Sequence, residues 1–106
     1  MIGHWILDAD GEPREERDLL TWARWFEESR EARTVARDEL PGDVTVSTVF
    51  LGLDHSFALG GQPVLFETMV FGGPLDLEME RYHTREAALH GHAAMDARVT
   101  GKGEQP

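Results

Sequence analysis

Two stretches, residues 44–51 and 64–71, alternate their side chains with a period of two, and they narrow the fold more than anything else in the chain. In the first, Val44, Val46, Thr48 and Phe50 share one face and Thr45, Ser47, Val49 and Leu51 the other. In the second, Val64, Phe66, Thr68 and Val70 alternate with Leu65, Glu67, Met69 and Phe71. Each face carries apolar groups, as expected of central strands covered on one side and at least partly on the other.

The flanking sequence supplies the rest of a sheet. Residues 34–38 are also strand-like, and Glu39-Leu-Pro-Gly-Asp43 between them and Val44 has strong turn chemistry, so a hairpin is expected. Gly60-Gly-Gln-Pro63 breaks the chain before the second central strand, and Gly72-Gly-Pro74 ends it. Residues 75–80 read as a loop or short edge strand, with 80–82 able to pair with the sheet. Residues 4–8 read as a first strand closed by a turn at Asp10-Gly11.

Two segments carry the helical period instead. Leu19, Trp22, Ala23 and Phe26 recur at i, i+3, i+4 and i+7, with Trp25 off that stripe, near the side of Leu20, as a rim residue or part of a contact surface. This helix starts either at Pro13, after Glu12, or at Leu19 with Asp18 as its cap. A second runs from the N-cap residue Thr84 to about Arg98, although Gly91 in its middle costs about 1 kcal/mol relative to alanine. The expected architecture is α+β: a small antiparallel sheet of three to five strands packed with two helices, one domain over residues 1–100 and a polar tail at 101–106.

A chain of 106 residues has material for one core, and its three Trp and five Phe suffice to fold it without staples. The absence of cysteine excludes disulfides and thiolate metal sites. No basic stretch leads into a long apolar run at residues 1–8, and nowhere do about 18 apolar residues follow one another. A cytoplasmic protein with no membrane association is expected.

The formal net charge of -10 opposes direct nucleic-acid binding. It is concentrated in residues 8–43, with 12 acidic against 6 basic side chains. Because arginines are interleaved among these acids, the region reads as a solvated face rather than a phosphate mimic.

Asp8-Ala-Asp-Gly11 fails as an EF-hand, because the first and twelfth ligand positions would fall on Ile6 and Arg17. Of the five histidines, His90 and His92 lie on opposite sides of a helix and His83 and His90 are about 10 Å apart along one, so no metal site is expected. Asp54, His55 and Ser56 offer acid, base and nucleophile, but consecutive residues point to opposite sides and cannot form a triad with one another. Glu67 is the one charge in an apolar strand, and needs either a ligand or a cation such as Arg81. No phosphate loop, dinucleotide fingerprint or nucleophile elbow occurs, so neither a catalytic residue nor a cofactor is assigned.

The runs Asp18-Leu-Leu-Thr-Trp-Ala-Arg-Trp-Phe-Glu27, Val46-Ser-Thr-Val-Phe-Leu-Gly-Leu-Asp-His55 and Leu65-Phe-Glu-Thr-Met-Val-Phe-Gly-Gly73, then Arg81-Tyr82 and residues 86–92, carry a resemblance. In that order they resemble a family of small proteins from phages, prophages and bacterial mobile elements. The resemblance covers about residues 4–99, and nine arginines against one lysine fit a GC-rich coding sequence. The family carries no established activity, so the resemblance implies origin and transfers no catalytic residue.

The reading that follows is a non-enzymatic phage or prophage accessory protein acting by binding a host or defence component. Val49, Leu51, Leu65, Met69 and Phe71 exceed what two helices on the opposite face could cover, which leads to an expected homodimer packed sheet against sheet. The alternative is a small-molecule binder, such as a nucleotide-signal sponge, with Asp54, His55, Glu67 and Tyr82 around a pocket at the dimer seam.

Overall fold

The computed structural model describes residues 3–56 and 61–101. The expected tail, apart from Gly101, and Gly60 of the expected chain break lie outside them. The elements in chain order are β1 (Trp5–Leu7), β2 (Pro13–Glu15), α1 (Leu19–Glu28), α2 (Arg30–Arg33), β3 (Thr34–Leu40), β4 (Val44–Phe50), β5 (Phe66–Phe71), β6 (Met79–Tyr82) and α3 (Arg85–Thr100). The α+β class is as expected. β3-β4-β5-β6 form a four-stranded antiparallel meander, and β1 and β2 form a separate hairpin.

The alternation of the central strands translates directly into burial. Val44, Val46, Thr48 and Phe50 of β4 are buried, as are Phe66, Thr68 and Val70 of β5, while the residues between them are half-buried or exposed. The 16-residue α3 packs across this inner face, touching all four strands. It begins where Thr84 Oγ1 accepts the Ala87 N–H at 3.1 Å, and ends at Gly101, whose φ of 78° is the left-handed conformation that stops a helix.

The inner face holds two apolar clusters. Leu7, Phe50, Leu65, Phe66 and Ala88 form one, flanked by Trp5, Trp25, Val35 and Tyr82; Val44, Val46, Val70 and Met95 form the other, flanked by Leu40, Leu75 and Val99. Between them runs a layer of buried polar residues, Thr48, Thr68 and His92.

Several expectations change. Pro13 belongs to β2 rather than to a helix, because residues 13–15 pair with β1; the helix begins at Leu19 after Asp18. Trp25 is not a rim residue: its ring meets Phe50 edge-on at 5.9 Å, while Leu19, on the expected buried stripe, is 58% exposed. The helix is rotated because Trp22 donates its indole N–H to the carbonyls of Trp5 and Gly52, at 3.1 and 3.0 Å. Phe26 sits over Gly52, where a Cβ would lie 2.7 Å from its ring. Leu65 joins the inner core instead of sharing the face of Glu67, because the β4–β5 ladder ends at Phe50–Phe66 and strict alternation ends with it.

Gly91 has a packing reason. The Tyr82 ring, on the inner side of β6, lies directly against the helix backbone there, and a Cβ at position 91 would overlap the ring and its hydroxyl. Gly91→Ala is therefore expected to destabilise the chain by about 1–3 kcal/mol through overpacking. In a Tyr82→Leu background the same substitution should be neutral or stabilising, since alanine is favoured in helices by about 1 kcal/mol. Urea unfolding of the two single variants and the double variant measures both.

Candidate functional site

Two features hold chemistry that a simple core would lack: the polar layer, and the face of the sheet turned away from α3. Asp38 and Thr48 come from neighbouring strands of the β3–β4 hairpin, with Asp38 opposite Val46 on the inner face, and Thr68 pairs with Thr48 across β4 and β5. His92 and Asp96 come from one side of α3, four residues apart. His92 Nδ1 lies 2.7 Å from Thr48 Oγ1, which is 2.5 Å from Thr68 Oγ1. Its Nε2 lies 2.8 Å from Asp38 Oδ2 and 3.7 Å from Asp96 Oδ2.

One arrangement of protons satisfies this chain of contacts. The Thr68 hydroxyl donates to Thr48, Thr48 donates to Nδ1, and Nε2–H donates to the Asp38 carboxylate. Burial foremost, then the hydrogen bond with Asp38, push the Asp96 carboxyl up to about 6. The hydrogen bond from Asp96 and then that from His92 hold Asp38 below the usual carboxylate range. Below about pH 6 a proton held by this pair therefore resides on Asp96, facing the ionised Asp38.

Acid, imidazole and hydroxyl stand in the order of a hydrolytic triad, but the geometry denies that chemistry. Thr48 and Thr68 have no exposed surface, and a nucleophile must reach a substrate carbon. What the layer can do is bind a proton or a cation at its open end, where the Asp38 side chain is 49% exposed.

The four residues expected to bind a ligand do not converge within one chain. Asp54 Oδ1 accepts the backbone N–H groups of Ser56 and Val64 at 2.8 and 2.9 Å. Burial works to raise its carboxyl, and these backbone bonds, Ser56 first, hold it below its usual range. His55 donates Nδ1–H to the Leu53 carbonyl at 2.8 Å. Both residues stabilise their own chain reversal. Glu67 accepts from Arg81 Nε at 3.0 Å on the outer face, whereas Tyr82 packs on the inner face against Gly91. The sheet separates Glu67 from Tyr82, because neighbouring residues of a strand point to opposite sides.

The residues that do converge, Asp38, His92 and Asp96, escape a reading of the sequence that compares histidines only with one another. The usable signal was the i, i+4 spacing of His92 and Asp96, together with threonines at Thr48 and Thr68 among apolar neighbours on one face.

The outer face has a different character. Val49, Glu67 and Arg81 form one cross-strand row, and Ser47, Met69 and Met79 the next, with Arg37 beyond Ser47; Thr45 and Phe71 follow, with Glu39 beyond Thr45. Phe71 is 46% and Met79 39% exposed, and no described helix runs across this surface. Its charges pair off, Glu67 with Arg81 at 3.0 Å and Arg37 with Glu39 at 3.5 Å, so the face is neutral on a chain of net charge -10.

Thr48→Val strands the Nδ1 acceptor of His92 and the Thr68 hydroxyl, and should cost about 1–3 kcal/mol in chemical denaturation. The pH dependence has a definite sign. Asp96 is raised from 3.8 to about 6, so across that window the folded chain keeps a proton that the unfolded chain has lost, and stability falls as pH rises. Asp38, being lowered, contributes stability present above its unfolded value and lost as pH falls through its folded one. Asp96→Asn, an amide that still donates to Asp38, should remove the decline between those two values and raise the melting temperature at neutral pH by a few degrees. Thermal unfolding of both proteins across that range, in chelator, checks it. Comparison with known protein families, with curated proteins and with solved structures finds no match.

Proposed function

We propose that this chain is a non-enzymatic accessory protein of phage or prophage origin that acts by binding a host or defence component through the outer face of its four-stranded sheet. The observation that carries the binding reading is the contrast in charge. A surface with Met69, Met79 and Phe71 at its centre and two internally matched ion pairs at its edges is neutral on a molecule of net charge -10. Apolar exposed faces of this kind mark sites of association. A basic ligand would find no unmatched acid there, so the partner that fits is itself apolar and neutral in its contact region.

In the free protein a second copy meets that description, closing the two faces on each other as a symmetric dimer. The phage or prophage origin rests on the sequence resemblance described above. The small-molecule alternative would have to gather its residues across a dimer seam, since within one chain Glu67 and Tyr82 lie on opposite faces and Asp54 and His55 are engaged by their own loop.

The test is a charge placed in the centre of the face. Light scattering coupled to size exclusion should give a dimer mass for the natural chain and a monomer mass for Phe71→Glu/Met79→Glu, with unchanged circular dichroism. Used as bait in host lysate, the same pair should retain a discrete protein on the natural chain and lose it on the variant. A monomeric natural chain whose captured proteins are identical to those of the variant would overturn the reading.

A further inference from the structure

We propose that Asp38, His92 and Asp96 form a binding site for one divalent transition-metal ion, of the Zn²⁺ or Mn²⁺ kind, which clamps α3 to β3. The inference is independent of the outer face, because these residues lie on the other side of the sheet.

Each residue offers one ligand atom, and the three atoms lie within 4.8 Å of one another. Ligands about 2.1 Å from a tetrahedral zinc ion stand roughly 3.4 Å apart. The distances from His92 Nε2, 2.8 Å to Asp38 and 3.7 Å to Asp96, straddle that value.

The cluster is more than two acids. Its imidazole is buried, with 7% of the side chain exposed, and is held from behind by Thr48 at Nδ1. That is the support a metal-ligating histidine needs, its second nitrogen bonded so that ring orientation and tautomer are fixed. The two threonines suit it because their hydroxyls rotate. With a metal on Nε2, the proton moves to Nδ1 and is donated to Thr48, and Thr48 donates to Thr68, reversing the direction of the hydrogen-bond chain without moving a heavy atom.

A separate observation points to a cation. Asp96 Oδ1 is enclosed and has no hydrogen-bond partner among the described residues, an uncommon and costly state for a carboxyl oxygen beside a second carboxylate. An ion bound between Asp96 and Asp38 offsets both the lost solvation and the repulsion.

The ligand set also selects the metal. One imidazole with two carboxylates suits zinc, manganese, cobalt or nickel, whereas calcium and magnesium prefer oxygen alone. The half-exposed side chain of Asp38 provides the entry path and leaves room for water to complete the coordination shell.

The full chain, stripped with chelator, should be titrated with ZnCl₂, MnCl₂ and MgCl₂ by calorimetry. The expected result is one equivalent of Zn²⁺ or Mn²⁺ per chain, no comparable binding of Mg²⁺, and a higher melting temperature in the metal-bound form. Asp38→Asn and Asp96→Asn should each weaken binding at least tenfold. Because both remove charge near the surface and keep the size of the side chain, they are expected to fold, whereas His92→Ala opens the core. The ¹⁵N signal of the His92 Nε2 should shift on binding as Nε2 loses its proton, and Nδ1 should become the protonated nitrogen. Absence of binding, or binding of equal strength in the natural chain and both asparagine variants, overturns the proposal, since an ion held by the other histidines would not respond to either carboxylate.

Discussion

The buried layer of Thr48, Thr68 and His92 is the constraint on which the rest of the packing depends. A helix lying on an apolar sheet can slide or rotate by one residue with little loss of buried area, because hydrophobic contact is non-directional. Hydrogen bonds are directional, and an enclosed polar group left unpaired is expensive. With His92 held between Thr48 on one side and Asp38 on the other, α3 has one position along the sheet at which all three are satisfied. That position seats Ala88 among Phe50 and Phe66, and Met95 among Val44, Val46 and Val70. The polar layer selects the arrangement that the two apolar clusters then stabilise.

What the sequence made legible follows from the range of each interaction. The alternation in β4 and β5, the turn before Val44 and the Thr84 cap are local, so they could be read from neighbours in the chain. Trp25 and Leu65 were misplaced because their positions follow from distant contacts: the bond from Trp22 to Trp5 and Gly52 rotates α1, and the end of the β4–β5 ladder frees Leu65 from alternation. β2 is three residues, Pro-Arg-Glu, with no apolar alternation, and is defined by its partner rather than by itself. The Asp38 cluster is the extreme case, assembled from β3 and two turns of α3 that are 54 residues apart.

Glu67 shows how a single anomaly resolves. A carboxylate in an apolar strand is an alarm in sequence terms, and cross-strand pairing with Arg81 answers it. The pairing also reshapes the outer face. Together with the Arg37 and Glu39 pair it brackets Met69, Met79 and Phe71 with charges that cancel locally, while the acidic excess stays on the remaining surface.

That separation of excess charge from a neutral face has a kinetic consequence. Two such molecules repel one another at long range, yet nothing at the point of contact opposes them once they arrive. The barrier to encounter is therefore a property of the solution as much as of the protein. At an ionic strength of about 0.1 M the field is cut off beyond about 10 Å, roughly the thickness of one sheet-and-helix layer. Below that ionic strength like charge keeps copies of the chain apart; above it, that repulsion no longer reaches from one neutral face to another, and the ionic environment decides how closely two copies approach.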